Sequence, residues 1–271
     1  MTLSVSTRGV APGTDYTVVG PSLGRALAPL RLPDSSTGRM LIWWRYANGI
    51  LLHLNVPSLR RDYNGTHIRW MMTWHVDQPI DTDFARLARI AAWWINAHPD
   101  LAFAGKDLDG ILLSDDLDAL LHDPLHSQGS PLSADRRQQL TDTLLSGIDE
   151  RFDRITQGQA PVTMVDFPRP PWHAGITTAS GKAAALAFMA KTCDDCQTGL
   201  LQVLPVLGHK YLPDRVKAVD CPVVFLLDKS GPRPQEIPLP KALARRLLLV
   251  ALGLGLLTVV VLILWKMAAA H

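Results

Sequence analysis

The chain has 271 residues, 47% of them apolar and 19% charged, and a formal net charge of +2. That composition belongs to a folded globule and excludes a disordered tail. Basic residues scattered singly or in short pairs such as Arg60-Arg61 and Arg136-Arg137 leave no electrostatic footprint for nucleic acid.

From the N-terminus, Met1 to Val19 contains no apolar run that could serve as a signal-peptide core. Two Asn-Gly pairs, at 48–49 and 64–65, then organise the first third of the chain. Met40 to Tyr46 and Ile50 to Val56 are rich in β-formers, and Ala47-Asn48-Gly49 between them predicts a hairpin. His67 to Val76 alternates with period two, Ile68, Trp70, Met72, Trp74 and Val76 on one side, and predicts a third strand of an antiparallel meander.

Helices follow. Asp81-Thr82-Asp83 caps a helix whose stripe is Phe84, Leu87, Ala88, Ala91, Trp94, Ile95 and His98. Gly110 to Leu121 is a weaker helical segment ending before Asp123-Pro124, and Ser133 caps a longer helix to about Gln157 with Leu140, Leu144, Ile148, Phe152 and Ile155 inward. After Gly158 the pattern reads as a strand at Val162 to Phe167, a helix at Ser180 to Thr192 and a strand at Pro222 to Leu227, a candidate β-α-β element. The expected fold is therefore an α+β soluble domain over residues 1–229, with an N-terminal meander packed by helices and a sub-boundary near 124–133 or 156–174. A Pro-rich spacer at 230–240 leads to a C-terminal anchor at 241–271.

Within that anchor, Leu247 to Trp265 runs nineteen residues without a charge. At about 1.5 Å rise per residue this matches the ~30 Å hydrocarbon thickness, so the segment reads as a single transmembrane helix. Lys241, Arg245 and Arg246 precede the span and only Lys266 and His271 follow it, which places the N-terminal domain in the cytoplasm in the manner of a tail-anchored protein. Three cysteines, Cys193, Cys196 and Cys221, are odd in number and too few to staple such a domain, and suit the same reducing compartment. Ala251 and Gly255, four residues apart, offer a small-residue face through which two such helices can pair.

Several motifs invite chemistry and fall short of it. Cys193-Asp194-Asp195-Cys196 has metal and redox spacing, but two carboxylates between the sulfurs disfavour the thiolate, and no compact second pair completes a zinc site. Gly175 to Ala183, GITTASGKA, has five residues between its glycines where a phosphate loop needs four, and Ala183 stands where a hydroxyl should hold magnesium. Pro124 breaks the helix that would align His122 with His126. No cofactor is expected.

The polar side of the meander is the better candidate. With a turn at Asn48-Gly49, Ala47 pairs with Ile50, Trp44 with His53 and Ile42 with Asn55, and burial of the Trp70 and Trp74 side leaves His67, Arg69 and His75 on the same surface. Trp44, His53, Asn55, His67, Arg69 and His75 would then form a binding face for an anionic ligand or peptide, or carry a histidine for acid–base work. The reading that results is a membrane-tethered binding or adaptor module with the lipid bilayer and a protein as partners. The alternatives are a membrane-anchored hydrolase using the histidine-bearing face, and an effector that perturbs the membrane when it assembles.

Overall fold

The computed structural model describes residues 1–10, 15–21, 40–46, 48–97, 102–122, 132–158, 172–175, 179–194, 199–204, 223–227 and 235–236. The chain opens on two short strands, β1 (Thr2–Thr7) and β2 (Thr17–Val19), paired antiparallel with Val5 opposite Val19. The meander follows as β3 (Leu41–Tyr46), β4 (Gly49–Arg61) and β5 (His67–Asp77). β1 docks on the outer side of β5, with Leu3 opposite Trp74 and Val5 opposite Met72, so the first five strands form an antiparallel sheet in the order β2-β1-β5-β4-β3.

Helices α1 (Asp81–Ala97), α2 (Ala102–Asp109), α3 (Ser114–Leu121) and α4 (Ala134–Ile155) come next. They bury the side of the sheet that carries Trp43, Leu52, Leu54, Trp70 and Trp74, against Leu87, Trp94, Leu108, Leu120, Leu144 and Phe152. Trp74 and Trp93 both meet Phe152 edge to face, at ring centroid distances of 5.0 and 5.5 Å. Ser133 caps α4, accepting the Arg136 N–H at 3.3 Å, and Leu140, Leu144, Ile148 and Phe152 point inward at helical spacing, as the sequence predicts.

β6 (Trp172–Gly175), α5 (Ala179–Asp194), β7 (Gly199–Leu204), β8 (Val223–Leu227) and β9 (Gln235–Glu236) complete the described elements. β7 adds antiparallel to β3, while β8 lies parallel between β7 and β6. The strand expected at Pro222 to Leu227 is β8, bonded parallel to β6 on one side and to β7 on the other, and β7 is a strand that the sequence pattern does not signal. The expected strand at Val162 to Phe167 lies outside the described residues.

The compact unit runs Met1–Glu236. Among the described residues no helix is long and apolar enough to cross a membrane. The charge-free segment at 247–265, with Ala251 and Gly255, lies outside the described residues, as do Cys196 and Cys221, whereas Cys193 falls in α5.

One register differs from expectation. Tyr46 faces Gly49 and Trp44 faces Leu51, so the chain reverses one residue earlier than an Asn48-Gly49 turn would have it. Gly49 is the first residue of β4, and the ring of Tyr46, its cross-strand partner, fills the space that a Cβ at 49 would need. Pairing shifts by two positions along β4, an even number, and the side chains that share a face stay the same.

Candidate binding face

Pairing places Trp44, Leu51 and His75 in one row across β3, β4 and β5, and Ile42, His53 and Thr73 in the next. Asn55 faces Met71 one row further, and Arg69 faces Pro57 beyond it. His67 lies past an irregularity between Pro57 and Arg61, opposite Arg61. All six sequence-predicted residues therefore lie on one side of the sheet. They do not converge: at ~3.3 Å per residue, His67 and His75 are roughly 26 Å apart along β5.

The middle of this surface is dry. Ile42 and Leu51 are fully buried, and His53 and Asn55 are 5% and 1% exposed. Asn55 acts as a ladder extension, its side-chain oxygen accepting the Met40 N–H at 2.6 Å and its own N–H donating to the Met40 carbonyl at 2.9 Å. The Asn55 carbonyl also accepts the indole N–H of Trp94 at 3.0 Å. His53 Nδ1 lies 2.8 Å from the hydroxyl of Thr73, and its Nε2 has no hydrogen-bond partner among the described residues. Burial pushes the His53 imidazole down to about 4, so the ring is neutral at physiological pH.

The accessible chemistry sits at the hairpin corner. The Tyr46 hydroxyl meets Nε2 of His75 and lies 3.4 Å from the Asp77 carboxylate, which itself lies 3.5 Å from the same His75 nitrogen. Burial, and then the charge and hydrogen bond of Asp77, push the Tyr46 phenol up to about 12. Trp44 packs on Tyr46 at 5.0 Å, and His75 stacks beside it at 6.0 Å. Carboxylate and hydroxyl thus compete for one imidazole nitrogen. A catalytic relay needs them on opposite nitrogens, the carboxylate orienting the ring and the nucleophile giving up its proton to the far side.

At the other end of the face, His67 is exposed and Arg69 partly buried, and the Arg69 backbone N–H donates to the Tyr16 hydroxyl at 3.2 Å. Nearby, on the helical side, lies a polar cluster absent from the sequence reading. Asp109, at the end of α2, accepts from the Ser58 hydroxyl at 2.7 Å, the Leu59 N–H at 2.8 Å, the Arg60 guanidinium at 3.1 Å and the Trp70 indole at 2.7 Å. Arg60 lies over the Trp70 ring at 4.8 Å and donates to Thr7 and the Arg8 carbonyl. Four donors on one carboxylate make a clasp that fixes the β4 irregularity to α2. The one local hint was Trp70, whose buried N–H requires an acceptor.

Tyr46 and Asp77 were also missed, although period-two alternation puts them on the same side as Trp44 and His75. Among the described residues no three His, Cys, Asp or Glu side chains are grouped to hold a metal ion. No protein-family model, curated protein or solved structure matches the chain.

Proposed function

We propose that the protein is a C-terminally anchored, single-pass membrane protein whose N-terminal α+β domain acts as a binding module at the cytoplasmic face of the bilayer. The anchor reading is supported by the charge-free run at 247–265 and by the basic residues before it, which lie beyond the compact unit ending at Glu236. The binding reading rests on how the sheet face disposes its polar groups. Asn55 and His53 hold the sheet together, and the half-buried Trp44, Tyr46 and His75 form an aromatic corner in which Tyr46 and Asp77 share one imidazole nitrogen. Aromatic and imidazole groups so arranged offer a partner contact area and hydrogen bonding, which suits recognition better than proton relay.

The test is affinity capture of the full chain from its native membranes, alongside an Arg69→Gln/His75→Gln double variant. The wild type should retain a stoichiometric protein partner. The variant should lose it while keeping thermal stability within about 1 kcal/mol, as expected of sites near the surface. Retention of the same partner by the variant would remove the face as the binding site, and capture of no partner at all would count against the module.

A further inference from the structure

The hairpin corner of the binding face has a defined shape. Gly49 carries no side chain, and the phenol end of Tyr46 lies over it from β3 to reach His75 and Asp77 on β5. The Tyr46 and His75 planes differ by 11°, with centroids 6.0 Å apart and the hydroxyl of one against the nitrogen of the other, so the two rings continue end to end as one flat floor. Trp44 stands beside Tyr46 at 5.0 Å, tilted 47° to it, as a wall. The dry middle of the face ends here: Trp44, Tyr46 and His75 are half-buried, and Asn48, Asp77 and Gln78 are exposed. Gln78 holds a left-handed φ of +52° and donates its N–H to the Asn48 carbonyl at 2.7 Å, which fixes the end of β5 to the hairpin and with it the backbone that carries Asp77.

Asp77 is the charge at the rim of this floor. Its side chain is 75% exposed, Tyr46 and His75 both approach its Oδ1, and among the described residues Oδ2 meets no donor and no Arg or Lys pairs with the carboxylate. Arg45 is close in sequence, but its guanidinium is buried on the helical side of the sheet, 4.6 Å over the Phe84 ring. After burial, the Asp77 charge is the larger influence on the Tyr46 phenol, and Arg45 opposes it less. The first turn of α1 adds Asp81 and Asp83 shortly after Asp77 in sequence, so the charges around the corner are negative in sum. A flat aromatic floor, one wall and a carboxylate at the rim match a planar cation: a guanidinium stacks on the ring and gives N–H bonds to the carboxylate. The ammonium of lysine is compact and strongly hydrated and gains less from a flat surface, and a quaternary ammonium has no N–H for Asp77.

Taking the binding-module reading as its basis, we infer that the hairpin corner receives an arginine side chain of the protein partner. The guanidinium stacks on Tyr46 against Trp44 and pairs with the Asp77 carboxylate.

The test uses the full chain in maltoside micelles and a phage-displayed random heptapeptide library. Enriched peptides should carry Arg. For the best synthetic peptide, fluorescence polarisation should show an affinity loss of about fivefold or more when that Arg is replaced by citrulline, which keeps the shape and removes the charge, and a similar loss of the Arg peptide in Asp77→Asn. The citrulline peptide should bind wild type and Asp77→Asn equally. No enrichment, or an Asp77→Asn loss that is the same for the Arg and citrulline peptides, would overturn the guanidinium site. Displacement of the peptide by tetramethylammonium but not by methylguanidinium would overturn it in favour of a quaternary ammonium ligand. Enriched peptides that lack Arg and fail on Arg69→Gln/His75→Gln would overturn it too, while leaving the binding module intact. Capture from native membranes tests the module separately.

Discussion

His53 shows how one residue can look functional in a strand pattern and be structural in place. Its ring is enclosed, hydrogen-bonded to Thr73 and held down to about 4 by burial, against an ordinary histidine value near 6.5. Between those two values the unfolded chain binds a proton that the folded chain refuses. Stability from this site is therefore complete above about pH 6.5 and is lost as pH falls toward 4, by about 1.4 kcal/mol per pH unit. Urea unfolding of wild type and His53→Gln across pH 4.5 to 7.5 should show a steeper acid-side loss in the wild type. Parallel pH profiles would mean that His53 is hydrated in the folded protein.

At the scale of elements, α2 packs directly on the backbone of β4 at Gly105. A Cβ at Gly105 would collide with the Pro57 carbonyl oxygen, a backbone atom that cannot rotate away. Gly105→Ala should therefore push α2 off the sheet, loosen the Asp109 clasp and cost about 2–4 kcal/mol despite better helix propensity. Gly110→Ala, whose Cβ would stand 3.6 Å from the Asp107 carbonyl, serves as the comparison and should change denaturation stability by less than about 1 kcal/mol. Equal effects of the two substitutions would remove the close contact as the reason for glycine at 105.

The same helix marks where local signals ran out. α1, α4 and β5 were legible because each sustains its period over ten residues or more. α2 has eight residues, one of them a glycine kept for contact with a distant strand, so its own pattern argues against it. β1 carries only Leu3 and Val5 as inward apolar residues, and β7 is placed by its pairing with β3. The two Asn-Gly pairs behave differently for a related reason. Gly65, between β4 and β5, has a φ of +78°, whereas Gly49 is used for the space that Tyr46 occupies. Period two put the six face residues on one side, but it carries no information on burial, so the enclosure of His53 and Asn55 could not be read from it.

For the whole molecule, we propose a domain that folds by itself and a terminal segment that holds it at the bilayer. Among the described residues the buried core, from Leu3 to Met189, lies wholly before Glu236. The most direct test expresses the full chain and a chain ending at Glu236, then follows both through alkaline carbonate extraction and flotation. The full chain should stay with the floating membranes. The shortened chain should remain in the carbonate supernatant and, purified under native conditions, melt in one cooperative transition. Release of the full chain by carbonate, or a shortened chain that still floats with membranes, would contradict the account.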